Sequence, residues 1–243
     1  MLIQGTSVSV TYKRIDGIKK AYYNNEEILR SFFNEATVLP VPDDAPDEIP
    51  RIVIKTLHEH ATLSITPIVA TFEVNYNDGF ERNWDNCSSY IKERMEKVFE
   101  FLNILTRNEY EYIGIISSVL YDEISEKGAE KLSNTLLKTS QIRCLHDVSI
   151  KYTFIERDNF FINILLQNAR VFKDRIPMNE AGALSAENQT AESIGAILDI
   201  NDRFGYNSQS NYVSKSQNLR ELLNIMSEVV NSKLQVLIEK GEY

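Results

Sequence analysis

The chain is predicted to be an α+β protein, built from internally duplicated β-α-β-β-β-α units whose mainly antiparallel sheet is covered by two long amphipathic helices. Three observations predict it. Short segments alternate apolar and polar residues with period two, the mark of half-buried strands. Two long segments carry apolar residues every three or four positions, the mark of amphipathic helices. The order of these segments repeats in the two halves of the chain. With 243 residues, 43% hydrophobic and 25% charged, the chain has the length and composition to bury a substantial core.

Taken in order, Leu2 to Tyr12 places Val8 and Val10 on one face and Ser7, Ser9 and Thr11 on the other, a half-buried strand. Asp16-Gly17 is a turn. Asn24 or Asn25 is expected to cap a short helix that runs through Ile28, Leu29, Phe32 and Phe33. Residues 38–50 hold four of the six prolines and four acidic residues, an extended solvated loop. Strands follow at 51–55, 61–66 and 70–76. Pro67 between the last two suggests a bend or an edge position. From about Trp84 to Leu105, Trp84, Cys87, Ile91, Met95, Val98, Leu102 and Leu105 step round one helical face.

The second half opens on the almost continuously apolar strand Tyr112–Tyr121, expected to be buried on both faces. A helix is expected over 125–139, then strands over 148–156 and 160–172, joined as a hairpin by Arg157-Asp158-Asn159. Residues 173–191 read as a polar loop, 194–201 as a strand, and 217–238 as the closing helix with Leu219, Leu222, Leu223, Met226, Val229, Val230 and Leu237 on its apolar stripe.

The repeat is visible at residue level. Ala70, Phe72, Glu73, Val74 and Asn75 lie against Ala196, Leu198, Asp199, Ile200 and Asn201 at an offset of 126 (196 − 70). Met95, Phe99 and Leu102 fall against Leu222, Met226 and Val229 at an offset of 127 (222 − 95). The boundary is placed so that residues 1–107 and 108–243 each form a β-α-β-β-β-α half. The short link at Thr106–Glu111 is expected to pack the halves tightly, and the 112–121 strand offers a seam at which they could join in one layer, with one sheet or two left open.

Composition narrows the function classes. No apolar run approaches the ~20 residues of a membrane span, and the N-terminal residues MLIQGTSVSV lack the regions of a signal peptide, so a cytoplasmic protein without membrane contact is expected. Cys87 and Cys144 have no companion at metal-ligand spacing and read as buried small hydrophobes. A formal charge of −9 and no strongly basic stretch argue against a nucleic-acid partner. No nucleotide loop, nucleophile elbow or HExxH motif is present, and no cofactor is expected.

Four residues remain as candidates for chemistry. His58 and His60 share a strand face as possible metal ligands, but a third ligand is not evident (His146 has no assignable neighbourhood), and a polar hairpin tip explains them more simply. Glu73 and Asp199 occupy matching repeat positions and are the first catalytic candidates, since paired carboxylates divide acid and base work when their environments differ. Asn75 and Asn201 read as strand-end residues, and Asp199-Ile200-Asn201-Asp202 lacks the downstream spacing of a calcium loop. Trp84 reads as core. In Tyr22-Tyr23, Phe32-Phe33 and Phe160-Phe161, adjacent rings cannot all face one core, so the surplus points to an interface.

The strand at Pro50–Val53, the Ala196–Ile200 strand of alternating apolar and acidic character, and the closing amphipathic helix together resemble a sporadically distributed family of uncharacterised prokaryotic proteins of similar length. The resemblance covers most of the chain and brings no catalytic residues. It implies an accessory role, such as one in mobile elements or phage defence. The expectation is a non-enzymatic protein-binding or assembly component that acts through a protein partner or as a homo-oligomer. The alternative is a ligand-binding protein or enzyme with its site in the cleft between the halves.

Overall fold

In a computed structural model, residues 1–42, 44–77, 79–121, 127–138, 145–172 and 189–243 are described. The strands are β1 (Leu2–Thr11), β2 (Thr37–Val38), β3 (Ile52–Lys55), β4 (Ala61–Ile65), β5 (Val69–Asn75), β6 (Tyr112–Tyr121), β7 (Ser149–Glu156), β8 (Phe160–Phe172) and β9 (Gln189–Asn201). They form one antiparallel sheet in the order β2-β3-β4-β5-β1-β6-β9-β8-β7. The first strand therefore lies in the middle, with β5 on one side and β6 on the other.

Period-two alternation decides which residues enter the core. Val8, Val10, Phe72, Val74, Ile113, Ile115, Leu198 and Ile200 point to one face and are buried. β6 departs from the expected double burial. Its neighbours β1 and β9 seal its edges, but among the described residues helices cover one face only, so Ile116 is 45% exposed while Ile115 beside it is fully buried.

The helix α1 (Ile18–Asn25) starts where the chain leaves the left-handed Gly17 (φ 69°). It thus begins before, and ends at, the asparagines expected to cap it; a single 3-10 turn and further hydrogen-bonded turns carry the chain on to Phe33. The reason is spacing: Ile18 and Tyr22, four apart, are the residues α1 buries. Pro67 marks no edge. It occupies the tight turn between β4 and β5, where Thr66 Oγ1 accepts from the amides of Ile68 (3.1 Å) and Val69 (2.9 Å), and both strands are interior.

The helix α2 (Trp84–Thr106) is capped by Asn83, whose side chain accepts from the amides of Asp85 (2.9 Å) and Asn86 (3.2 Å). It ends on Arg107 in the left-handed region at φ 56°. Trp84, Cys87, Ile91, Met95, Val98 and Leu102 are buried beneath it, each large aliphatic contributing about 1.5–3 kcal/mol. After β6, the helix α3 (Gly128–Leu132) runs on into a π-helical turn at Ser133–Leu137, so helix fills most of the described part of the expected 125–139 helix. Following β9 come α4 (Arg203–Ser208) and α5 (Asn218–Glu228), a π-helical turn (Val229–Lys233) and α6 (Leu234–Lys240).

The predicted loop at 173–191 falls largely outside the described residues, as does Cys144. Its end is corrected: β9 begins at Gln189 because residues 189–193 continue the ladder with Ala169–Phe172 of β8. In each aromatic pair one ring is core (Tyr22, Phe33, Phe160). Their neighbours differ: Tyr23 is 62% exposed, Phe32 lies beneath Arg94 at 4.9 Å, and Phe161 meets Phe204 edge-on at 5.2 Å. Among the described residues, no helix is long and apolar enough to cross a membrane.

Candidate functional site

The face of the sheet turned away from the core brings the carboxylate candidates into one line. Following the strand registers, a row crosses eight strands: Lys55, Thr62, Glu73, Ser7, Ile116, Asp199, Asn163 and Thr153. Glu73 and Asp199 are three strand spacings apart, about 14 Å at ~4.8 Å per strand. Carboxylates that divide acid and base work across one bond sit about 5–9.5 Å apart. The two therefore do not act on one substrate atom.

Their surroundings differ as well. Glu73 is exposed. Asp199 is half-buried and accepts from Asn201 Nδ2 at 2.8 Å and Asn163 Nδ2 at 3.2 Å, while Thr153 Oγ1 donates to Asn163 Oδ1 at 2.9 Å. Asn201 thus orients a carboxylate as well as accepting from the amide of Arg203 (3.2 Å) at the strand end. The result is a polar ladder fixed by hydrogen bonds.

An aliphatic cluster meets that row at Ile116. Leu165 and Ile197 are direct cross-strand partners, Ile116 and Leu120 are diagonal neighbours of Ile197, and all four are at least partly exposed. On the β1 and β5 side, the same face carries Ser7, Ser9, Thr11, Thr71 and Asn75. The open face is therefore apolar around β6, β9 and β8 and hydroxyl-rich around β1 and β5.

His58 and His60 lie with Glu59 (φ 59°) in the exposed hairpin tip between β3 and β4. His60 borders a small cleft of about 150 Å³ with Tyr76, Phe80 and Tyr90, and His58 does not line it. Among the described residues, no group of three or more His, Cys, Asp or Glu side chains is placed to hold a metal ion.

Larger clefts open elsewhere. One of about 670 Å³ lies between Lys13–Ile15, the Leu105–Glu111 link and the Tyr206–Val213 segment, with Tyr110 and Tyr212 on its walls. Another of about 430 Å³ runs between α2 and α5, rimmed by Lys92, Glu96, Glu100 and Arg220. None of Glu73, Asp199, His58 or His60 reaches either.

Among the described residues, the shifted thiol and phenol groups all move upward. Burial pushes the Cys87 thiol and the Tyr110 hydroxyl up to about 12 each, and raises Tyr12, Tyr76 and Tyr212 as well. Desolvation is the largest cause for each, which marks neutral core groups. Glu239 moves the other way: Gln235 and the Tyr121 hydroxyl donate to its carboxylate and lower it.

Two polar anchors escaped sequence reasoning. Asp202 is fully buried and accepts from the Ile113 amide (2.6 Å), Tyr212 Oη (2.9 Å), Asn218 Nδ2 (2.7 Å) and Ser214 Oγ. Those donors saturate the carboxylate and join β6, the segment after α4, and α5. Arg51 is 2% exposed, and its guanidinium donates to the carbonyls of Ile49 (2.7 Å) and Ala45 (3.0 Å), so the proline-rich loop folds around it. An arginine at a strand start beside a proline-rich loop was the available signal. For Asp202 it was an acid following an apolar strand. Compared with protein-family models and with curated proteins, the chain matches none.

Proposed function

We propose that this protein is a non-enzymatic assembly component that binds a protein partner on the open face of its sheet. The observation that carries the reading is the partly exposed Leu165–Ile197–Ile116–Leu120 cluster, joined at Ile116 to a row of ordered hydrogen-bonding groups. A buried apolar centre with a polar border is the anatomy of a protein interface. The separation of Glu73 from Asp199 and the exposed hairpin position of His58 and His60 weigh against catalysis by those residues. The resemblance to a sporadically distributed family of uncharacterised prokaryotic proteins supports an accessory role for such a component, such as one in phage defence.

The same reading includes the duplication, with halves at 1–107 and 108–243. Outward from the β1–β6 seam the strand order is β5, β4, β3 on one side and β9, β8, β7 on the other. With Phe72 matched to Leu198, the registers match Val8 to Ser117, and the local two-fold then falls on the pair Ser7–Ile116, at mid-strand in both. The backbone supports it too: the Tyr76 amide donates to the Gln4 carbonyl (3.2 Å) as the Asp202 amide does to that of Ile113 (3.1 Å). Helices α2 and the α5–α6 rod correspond as the covers of the two halves.

The test is gentle affinity purification of wild type and Ile116→Asp from a native extract, with mass spectrometry of what co-elutes. A stoichiometric protein that is lost in the variant supports the reading. A clean wild-type monomer carrying a small molecule rejects it and favours the 670 Å³ cleft, which lies where the two halves meet.

A further inference from the structure

The two edges of the sheet are treated differently. At one end, β2 has two residues and gives way to Pro40 and Pro42, which cannot extend a ladder. At the other, β7 has eight residues, no proline and no bulge in its pairing with β8. Among the described residues it pairs with no other strand. Its outward residues Ser149, Lys151, Thr153 and Ile155 are exposed, Ile155 at 54%. Its inward residues Ile150, Tyr152 and Phe154 pack on the core but are only partly covered. Native sheets normally blunt such an edge, because its unpaired amides and carbonyls template another strand.

We infer that the β7 edge is a homodimer interface, at which β7 of a second copy adds antiparallel to form one continuous sheet. This rests on the assembly reading and names a partner for it. A strand laid antiparallel to its own copy is a two-fold contact that closes after two chains. Lys151 and Glu156 leave β7 with no net charge, so the strands do not repel, although the chain carries −9. Charge also limits the register. Centring the two-fold on Tyr152 sets Lys151 against the second copy's Thr153; centring it on Thr153 sets Lys151 against Ile155 and Tyr152 against Phe154. A shift one step either way places Lys151 opposite Lys151 or Arg157, a like-charge pair that weakens the ladder. In both permitted registers the half-covered aromatic rows of the two copies meet and shield one another.

Thr153→Lys tests this, because it sets Lys against Lys in either register while changing an exposed side chain. Mass photometry and light scattering on the full chain are expected to give twice 27.9 kDa for wild type. The variant is expected to dissociate about fivefold more readily if one like-charge pair forms, as in the Thr153-centred register, and more if two form, with native far-UV circular dichroism and cooperative urea unfolding showing that it folds. Thr153→Glu then separates the registers: it strengthens the dimer if Tyr152 is the centre and weakens it if Thr153 is. A wild-type monomer at every concentration, or a Thr153→Lys dimer as tight as wild type, overturns the inference. Either result leaves partner capture on the open face standing, since that is read by co-elution and by Ile116→Asp.

Discussion

Asp202 Oδ1 accepts the backbone amide of Ile113 at 2.6 Å, so the carboxylate at the end of one strand fixes the start of the strand beside it. The other oxygen gathers Tyr212, Ser214 and Asn218.

Removing that carboxylate strands several buried donors at once. Asp202→Ala is expected to lower stability by about 3 kcal/mol or more, since a hydrogen bond to a charged group contributes about 1.5–3 kcal/mol and orphaned donors add their own cost. Asp202→Asn keeps one acceptor and should fall between. Urea unfolding followed by far-UV circular dichroism measures both, and an Ala variant as stable as wild type contradicts the role.

Arg51 holds the proline-rich loop by charge-assisted bonds to carbonyls. Arg51→Met keeps the apolar stem and loses those bonds, at an expected cost of about 1.5–3 kcal/mol. A glutamate-specific protease should then cut at Glu48 faster than in wild type. Equal cleavage rates argue that the loop is held by other contacts.

The two isoleucines at the centre of β6 should respond oppositely. Ile115→Ala opens a cavity in the core and is expected to cost about 2–5 kcal/mol. Ile116→Ala, on the open face, should stay within about 0.5–1 kcal/mol. Matched urea titrations decide the assignment of faces, and similar losses at both sites would mean that the open face is covered.

Cys87 supplies a pH prediction. Its thiol stays protonated in the fold up to about 12, whereas an exposed cysteine titrates near 9. Below that lower value both states hold the proton and stability does not vary from this group. Between the two values the unfolded chain alone loses it, so stability falls as pH rises. Tyr110, raised from 10.0 to about 12, adds to the decline over the upper part of the same window. Cys87→Ala should flatten the slope between pH 9 and 10, measured by urea midpoints, and the native thiol should resist an aromatic disulfide reagent until urea is added.

The local patterns were legible where side chains alternate against a single core. β8 runs from Phe160 to Phe172 and β6 from Tyr112 to Tyr121, the bounds read from their apolar runs and flanking turns, although the burial of β6 on both faces was not met. The α1 boundaries were not legible, because its two core residues, Ile18 and Tyr22, are embedded among lysines and asparagines. The candidate site was half legible. Matching Glu73 to Asp199 by their 126-residue offset finds two residues that share a row, but their separation depends on strand order, which no local pattern encodes. Arg51 and Asp202 were missed because their importance lies in distant or irregular partners: Asp202 reaches across 89 positions to Ile113, and Arg51 reaches loop carbonyls with no side-chain signature.

The central place of β1 also sets a timetable for synthesis. The strand made earliest of the nine needs β5 on one side and β6 on the other, and Tyr112 emerges about a hundred residues after Thr11. At roughly 5–20 residues/s, the nascent strand waits on the order of ten seconds for its second neighbour. During that time Val8 and Val10 have no completed core to enter. The sheet therefore closes late from its middle, and the growing chain is most exposed to chaperones and to mispairing before β6 leaves the ribosome.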